Sequence, residues 1–375
     1  MRSALRLPAI GFAASLVLSA CSGAATPAPS SGPGTAPPSA PASDAPPVAD
    51  ICTNPGTSPA GTEMTFASYG GAYQEAQRKG WLEPYAALTG VTFQESEDSS
   101  NATIKAQVES GQVTWDIVDV GNDFGLDAQA DILEPLDYTL IKQDEILPGF
   151  ASTYRVADIT YGVVLAYNTE KTGGAVPQGW ADYFDLVKFP GKRGTWDYSE
   201  GGIFETALLA DGVAPADLYP LDLDRAIKKL DPIKDSLVFW SSGAQSQELI
   251  GSGEVAMTLI WNGRGWSAKH TDNKPVEMQW NQQILTADYL VVPKGTPNKA
   301  EAMKFIAWVT CKENNAAPSQ FIPYGPTNVN AEPAADKVPD LAVSNVNDST
   351  AYFDDQWLVD NFDAVDAAYN DWKTQ

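Results

Sequence analysis

Histidine is almost missing: His270 is the only one in 375 residues. That excludes His-rich metal centres and any mechanism needing two imidazoles. Three cysteines, Cys21, Cys52 and Cys311, are too few for a dense disulfide scaffold. Basic residues are scarce, 24 Lys and Arg against 48 Asp and Glu. The resulting net charge of -24 argues against a nucleic-acid partner, since phosphates are gripped by Lys and Arg. No Gly-x-Ser-x-Gly elbow, His-Glu-x-x-His, Walker A loop or Cys-x-x-Cys occurs, so the common hydrolase, nucleotide and redox signatures are all lacking. There is no internal repeat, and after the first 20 residues no apolar run long enough to cross a bilayer.

What is present begins with a secretory signal over residues 1–20. Arg2 and Arg6 precede an apolar stretch, Ile10 to Leu18, that is too short to span a membrane. Leu18-Ser19-Ala20-Cys21 is similar to the bacterial lipobox, which predicts lipidation at Cys21; the alternative is a cleavable signal with an incidental cysteine. Residues 21–50 follow, almost wholly Ala, Pro, Ser, Gly and Thr, with eight prolines and no aromatic residue. Such a stretch buries too little apolar surface to offset the entropy of ordering, so a flexible tether is expected. Outside the cytoplasm thiols oxidise, and the remaining pair, Cys52 and Cys311, is expected to form a disulfide.

The body, 43% hydrophobic over the whole chain, reads as α/β. Met64–Ser68, Val91–Phe93 and Asp116–Val120 are expected strands, separated by helices over Tyr73–Gly80, from Pro84 to Gly90, and over Ala102–Ser110. Strand, helix, strand, helix, strand implies a largely parallel first sheet. A second series has strands at Gly162–Tyr167, Gly194–Trp196, Val255–Ile260 and Asp288–Val292. Its helices are Phe204–Ala210, one opening at Asn298 with Glu301 as a capping pair, and a last one burying Phe362, Val365, Tyr369 and Trp372. Trp115 reads as core, and the acidic runs Glu95–Asp98 and Asp354-Asp355 as solvated faces.

Five segments, in order, carry a resemblance. They are Phe66-Ala-Ser-Tyr-Gly-Gly-Ala-Tyr73, Thr114-Trp-Asp-Ile-Val-Asp-Val120, Gly253-Glu-Val-Ala-Met-Thr-Leu-Ile-Trp-Asn-Gly263, Ala287-Asp-Tyr-Leu-Val-Val-Pro293 and Tyr324-Gly-Pro-Thr-Asn328. Over roughly residues 62–330 the chain resembles the extracytoplasmic solute-binding proteins of ABC importers, in their spermidine/putrescine branch. The resemblance implies an α/β, two-lobe periplasmic-binding-protein type II fold. Lobe 1 would be residues 62–163 plus 289–328, and lobe 2 residues 164–288 plus 329–375. It also implies a hinged cleft, no catalysis, no cofactor and no metal. The expected partners are a small amine-bearing solute, the permease subunits and the membrane through Cys21, with the protein a monomer.

By the same resemblance, Asp288 matches the aspartate that takes the amine, Trp261 and Tyr324 line the cleft, and Tyr69 stacks over the ligand. Asn262 follows Trp261, and Gln356 is a loose match to a late glutamine. The second acidic cluster of polyamine binders is replaced by Tyr198-Ser-Glu-Gly-Gly202, leaving Glu200, and Asp123 after the third strand, as the remaining carboxylates. Arg264 departs further: an arginine repels a diamine but grips a carboxylate, so Asp288 and Arg264 would clamp a zwitterion such as γ-aminobutyrate or an opine. The N–H groups of Gly70 and Gly71 would favour the same anionic end. The plainer alternative has Arg264 at the surface, pairing with Glu254. Rival functions are a secreted carboxylate-based hydrolase and a sugar-binding member of the same fold.

Overall fold

The computed structural model describes residues 50–375. The signal segment, Cys21 and the linker as far as residue 49 lie outside the described residues.

The chain opens with β1 (Glu63–Ala67), α1 (Gly71–Gln77), a π-helical turn (Arg78–Leu82) and α2 (Glu83–Thr89). Helix therefore runs unbroken through Gly80, where a stop was expected. Gly80 serves close packing instead: a Cβ there would lie 2.8 Å from the Pro318 nitrogen. β2 (Thr92–Ser96), α3 (Asn101–Ser110) and β3 (Ile117–Val120) follow, with Gly90 and Gly111 ending their helices in the left-handed conformation. β4 (Val156–Asn168) is thirteen residues long and buried throughout, about twice the strand expected. Next come α4 (Trp180–Phe184), β5 (Arg193–Trp196), α5 (Ile203–Ala210), α6 (Leu223–Leu230), β6 (Leu237–Trp240), α7 (Gly243–Ser252), β7 (Met257–Trp261) and α8 (Asn262–His270). β8 (Val276–Val291) extends the expected Asp288 strand backwards. α9 (Lys299–Val309), α10 (Lys312–Ala316), β9 (Gly325–Pro326), β10 (Ala351–Tyr352) and α11 (Asp355–Thr374) complete the chain.

Among the described residues all strands belong to one sheet of order β2-β1-β3-β8-β4-β7-β5-β6, with β10 on β8 and β9 on β4. The outer groups, β2-β1-β3 and β7-β5-β6, are parallel, as helical crossovers require. The long central strands β4 and β8 run antiparallel and pass through both halves. On β4 the neighbour changes from β9 at Ile159–Thr160 to β7 at Val163–Tyr167. On β8 it changes from β10 at Ile284–Leu285 to β3 at Tyr289–Val291. The fold is the two-lobe, mixed α/β arrangement of periplasmic binding proteins.

Several local expectations are corrected. Asn298 does not cap α9 with its side chain, which donates instead to Glu63 O and Asp116. Phe362 is left partly exposed, and Leu358 takes the buried position on α11 with Val365, Tyr369 and Trp372. Asp355 is not a solvated face: it holds Arg155 at 2.6 Å. Trp115 packs in an apolar cluster with Ala67, Ile104 and Val118. Cys52 and Cys311 are joined in a disulfide with a Cα–Cα distance of 5.6 Å.

Candidate functional site

The C-terminal ends of four strands converge on one cavity, the position where parallel sheets bind ligands. Tyr69 follows β1 and Tyr73 lies one helical turn on. Gly121, Asn122 and Asp123 follow β3. Trp196, Tyr198 and Glu200 follow β5, and Trp261 ends β7. The central strands add Tyr161 and Asp288 at the points where they change neighbours, and Tyr324 comes from the approach to β9. The walls leave a cavity of about 20 Å³, room for little more than a water molecule. A solute therefore enters only when the walls part.

One side of the cavity is acidic. Asp288 is 6% exposed, with Asp119 and Asp158 fully buried nearby. Asp119 accepts from Gln77 Nε2 at 2.5 Å and Ser68 Oγ at 3.1 Å; Asp158 accepts from Tyr73 Oη at 3.3 Å and from the Ile159 N–H at 2.9 Å. Burial, then the proximity of Asp158, raises Asp288 far above the ordinary carboxylate range. Burial likewise raises Asp119, and Asp158 is pushed up to about 7. Three carboxylates out of water repel each other's ionisation, so a cation beside them is strongly favoured.

Across the cavity Asp123 accepts from Tyr198 Oη at 2.5 Å. Glu200 is 3% exposed, and among the described residues neither of its oxygens has a hydrogen-bond partner. Burial, then Asp123, pushes it up to about 9. Around these poles stand aromatic rings. Trp261 packs against Tyr69, Tyr161 and Trp196 at centroid distances of 5.8, 6.4 and 5.0 Å, and Tyr324 against Tyr73 and Tyr161 at 5.1 and 5.8 Å. Such faces accept both methylenes and an ammonium group. Among the described residues, no Lys, Arg or His lines this cavity. Nor is any group of three or more His, Cys, Asp or Glu among them arranged to hold a metal ion.

Of the residues singled out in the sequence, Tyr69, Asp123, Glu200, Trp261, Asp288 and Tyr324 meet at the cavity; Gly70, Gly71, Asn262, Arg264 and Gln356 do not. Asn262 is a staple, donating to Pro323 O and Asp340 O and accepting from the Gly162 N–H. Asn262 opens α8, whose Gly263 makes room for the Tyr324 ring. The Gly70 N–H is taken by Gln74 Oε1 at 2.9 Å, and Gly71 flanks Arg264 instead of the cavity. Arg264 is fully buried but outside the cavity, in a slot between Gly71 and Gly243, where its Nη2 donates to Gly70 O at 2.7 Å. It has no ion pair with Glu254, and among the described residues its Nε and Nη1 find no acceptor. Gln356 also lies elsewhere, beside Tyr138 and Leu126, with its Nε2 on Asp360.

The sequence reading missed Tyr73, Gly121, Asn122, Tyr161, Trp196 and Tyr198 as cavity residues. Tyr73, four residues beyond Tyr69 at the start of a helix, offered a spacing signal. Tyr161 offered none, because its strand is buried on both faces.

The sequence profile described as "Bacterial extracellular solute-binding protein" matches residues 80–342. A γ-aminobutyric acid-binding protein of Pseudomonas aeruginosa is 33% identical over 327 residues, 82% of this chain and 90% of that protein. Among solved structures, a γ-aminobutyrate receptor is 39% identical with a TM-score of 0.76, covering 83% of this chain and 98% of that one. The binding protein AgtB of A. tumefaciens R10, in complex with agropinic acid, is 34% identical with a TM-score of 0.78, covering 84% and 99%. This chain belongs to the bacterial extracellular solute-binding protein family.

Proposed function

We propose that the protein is the extracytoplasmic solute receptor of an ABC importer and that its solute carries an ammonium group, seated at Asp288. One observation carries the reading: a nearly buried carboxylate at the cavity wall, with two more behind it, faced by aromatic rings and no lining cation. A small solute with a positive nitrogen pairs with Asp288 and lowers the cost of ionising the two carboxyl groups behind it. Delivery of the solute to a permease is the role that the family and this cavity support.

The names of the relatives support a zwitterion such as γ-aminobutyrate or an opine as solute. Glu200 fits that reading: near neutral pH burial keeps it protonated, with an unpartnered O–H to offer a carboxylate. The resemblance to polyamine binders, and the lack of a lining cation, support a second reading, a diamine such as putrescine. In either case residues 62–163 with 289–328, and 164–288 with 329–375, are the lobes that close on the solute. Cys21 is the lipid anchor at the outer membrane face, and the receptor is a monomer.

The test is a thermal-shift and calorimetric screen with γ-aminobutyrate and putrescine, and with agropinic acid, a lactam, as the solute that has no ammonium group. A true solute at 100 times its Kd stabilises by about 2.7 kcal/mol, and Asp288→Asn removes that gain. No shift with any amine, or equal binding by the Asn variant, overturns the proposal.

A further inference from the structure

The loops forming opposite walls of the cavity are both held from outside by the last helix. α11 packs on the β5–β6 half: Tyr369 Oη donates to Asp197 at 3.0 Å, Trp372 Nε1 to Asp231 at 3.0 Å, and Lys373 pairs with Asp197. Its Asp366 accepts from Ser199 Oγ at 3.1 Å. Asp197 and Ser199 alternate with Trp196, Tyr198 and Glu200, which line the cavity. The rear of that wall is thus tied to the middle and end of α11.

The first turn of the same helix reaches the other half. Asp355 accepts from Arg155 Nη2 at 2.6 Å, from Asn122 Nδ2 at 3.2 Å and from Tyr289 Oη at 3.3 Å. Arg155, just ahead of β4, is 3% exposed and lies over the Tyr289 ring at 3.8 Å. Its Nη1 donates to Asn122 O at 2.6 Å and Phe124 O at 2.7 Å, on either side of cavity-lining Asp123. Where the two walls meet, Asp123 accepts from Tyr198.

We propose that α11 is a closure strap and that Arg155 and Asp355 are positioning residues, setting how long the shut cavity retains its solute without touching it. The planar guanidinium fixes the 121–125 loop through two carbonyls, and its charge is satisfied by a carboxylate carried on the opposite half. When the halves separate, that pair breaks and both groups return to water. Its strength therefore biases the open–closed equilibrium more than the folding of either half. Solute affinity then has a component that comes from the strap, expressed chiefly as a slower dissociation rate.

The experiment compares full-chain wild type with Asp355→Asn and, at the other end of the strap, Ser199→Ala. Dissociation of γ-aminobutyrate and of putrescine is followed by stopped-flow tryptophan fluorescence, and the solute-free radius of gyration by small-angle X-ray scattering. The expected result is dissociation about tenfold faster in Asp355→Asn with association within twofold of wild type, a smaller change of the same sign in Ser199→Ala, and a larger solute-free radius in both. Arg155→Lys, which keeps the charge but not the fork, is expected to fall between wild type and Asp355→Asn; should Asp355→Asn fail to fold, Arg155→Lys and Ser199→Ala decide. Wild-type dissociation rates and radii in the variants overturn the strap. The kinetic arm rests on the proposed function, so a wild type that binds neither probe defeats the γ-aminobutyrate and putrescine readings of it, while the scattering arm still decides the strap.

Discussion

A carboxyl group shut away from water stays buried by holding a proton or by meeting a cation. Asp119, Asp158 and Asp288 stand at that choice, and the direction of two pH effects follows. Asp158, raised to about 7, keeps in the native state a proton that the unfolded chain releases near its ordinary value of about 4. It therefore adds stability to the solute-free protein that is fully present below about pH 4 and is lost as pH rises through 7. Binding runs the other way, because an ammonium group competes with that proton. Lowering the pH from 7 to 5 is expected to weaken binding by up to about tenfold per unit for each proton displaced. Calorimetry across that range, in buffers of differing ionisation enthalpy, measures both the weakening and the released protons; a flat affinity would show that no proton is displaced. Glu200 separates the two solute readings. Glu200→Gln fixes the uncharged, donor-bearing form, so γ-aminobutyrate binding is expected to stay within about threefold while putrescine binding falls at least tenfold, about 1.4 kcal/mol. The opposite ranking in a titration would show that Glu200 neither offers its O–H to a carboxylate as a neutral acid nor faces a second ammonium as an ion.

Among the elements, the ones that position the cavity are tied together at their ends. The disulfide joins the chain just ahead of β1 to the residue preceding α10, and Asn314 Nδ2 donates across the same junction to Cys52 O at 3.1 Å. α10 in turn carries Asn315, which donates to Asp158 O at 2.8 Å. With 259 positions between the cysteines, loop-closure entropy sets an upper bound of about 5 kcal/mol on the stabilisation. The Cys52→Ser, Cys311→Ser double variant is expected to lose several kcal/mol in denaturant unfolding; a loss below about 1 kcal/mol would show that the unfolded chain gains little freedom when the link is gone. The continuous helix through Gly80 belongs to the same arrangement. Its π-helical turn brings Trp81 Nε1 to Asn314 O at 2.7 Å, so α1, which holds Tyr73, is braced against α10.

At the scale of the whole molecule, local chemistry fixed more of the elements than of the site. Local signals marked α3, α5, α9 and the parallel strands other than β6, because those signals reside in neighbouring residues, although the Asn298 cap expected for α9 does not form. The alternation of strand and helix was enough to fix the α/β class. Tyr69, Asp123, Glu200, Trp261, Asp288 and Tyr324 were legible as cavity residues because each sits at a strand end, on a central strand or in a matched motif. The full length of β4 was not legible, since a strand buried on both faces shows no alternation and this one carries Asp158 and Thr160 inside it; the first half of β8 is only half-buried and rich in Gln and Asn, which gives no strand pattern either. Arg264 shows the same limit at a single position. Its sequence neighbourhood places it beside the cavity, but whether the guanidinium enters is settled by Gly71 and Gly243, residues 193 and 21 positions away, whose missing side chains open a different slot. The sequence alone determined the α/β class and the acidic, aromatic character of the candidate site. Which carboxylates share one solvent-free volume, and which helix ties both walls, was decided only by the tertiary structure, because burial and charge coupling arise from distances between residues far apart in the chain.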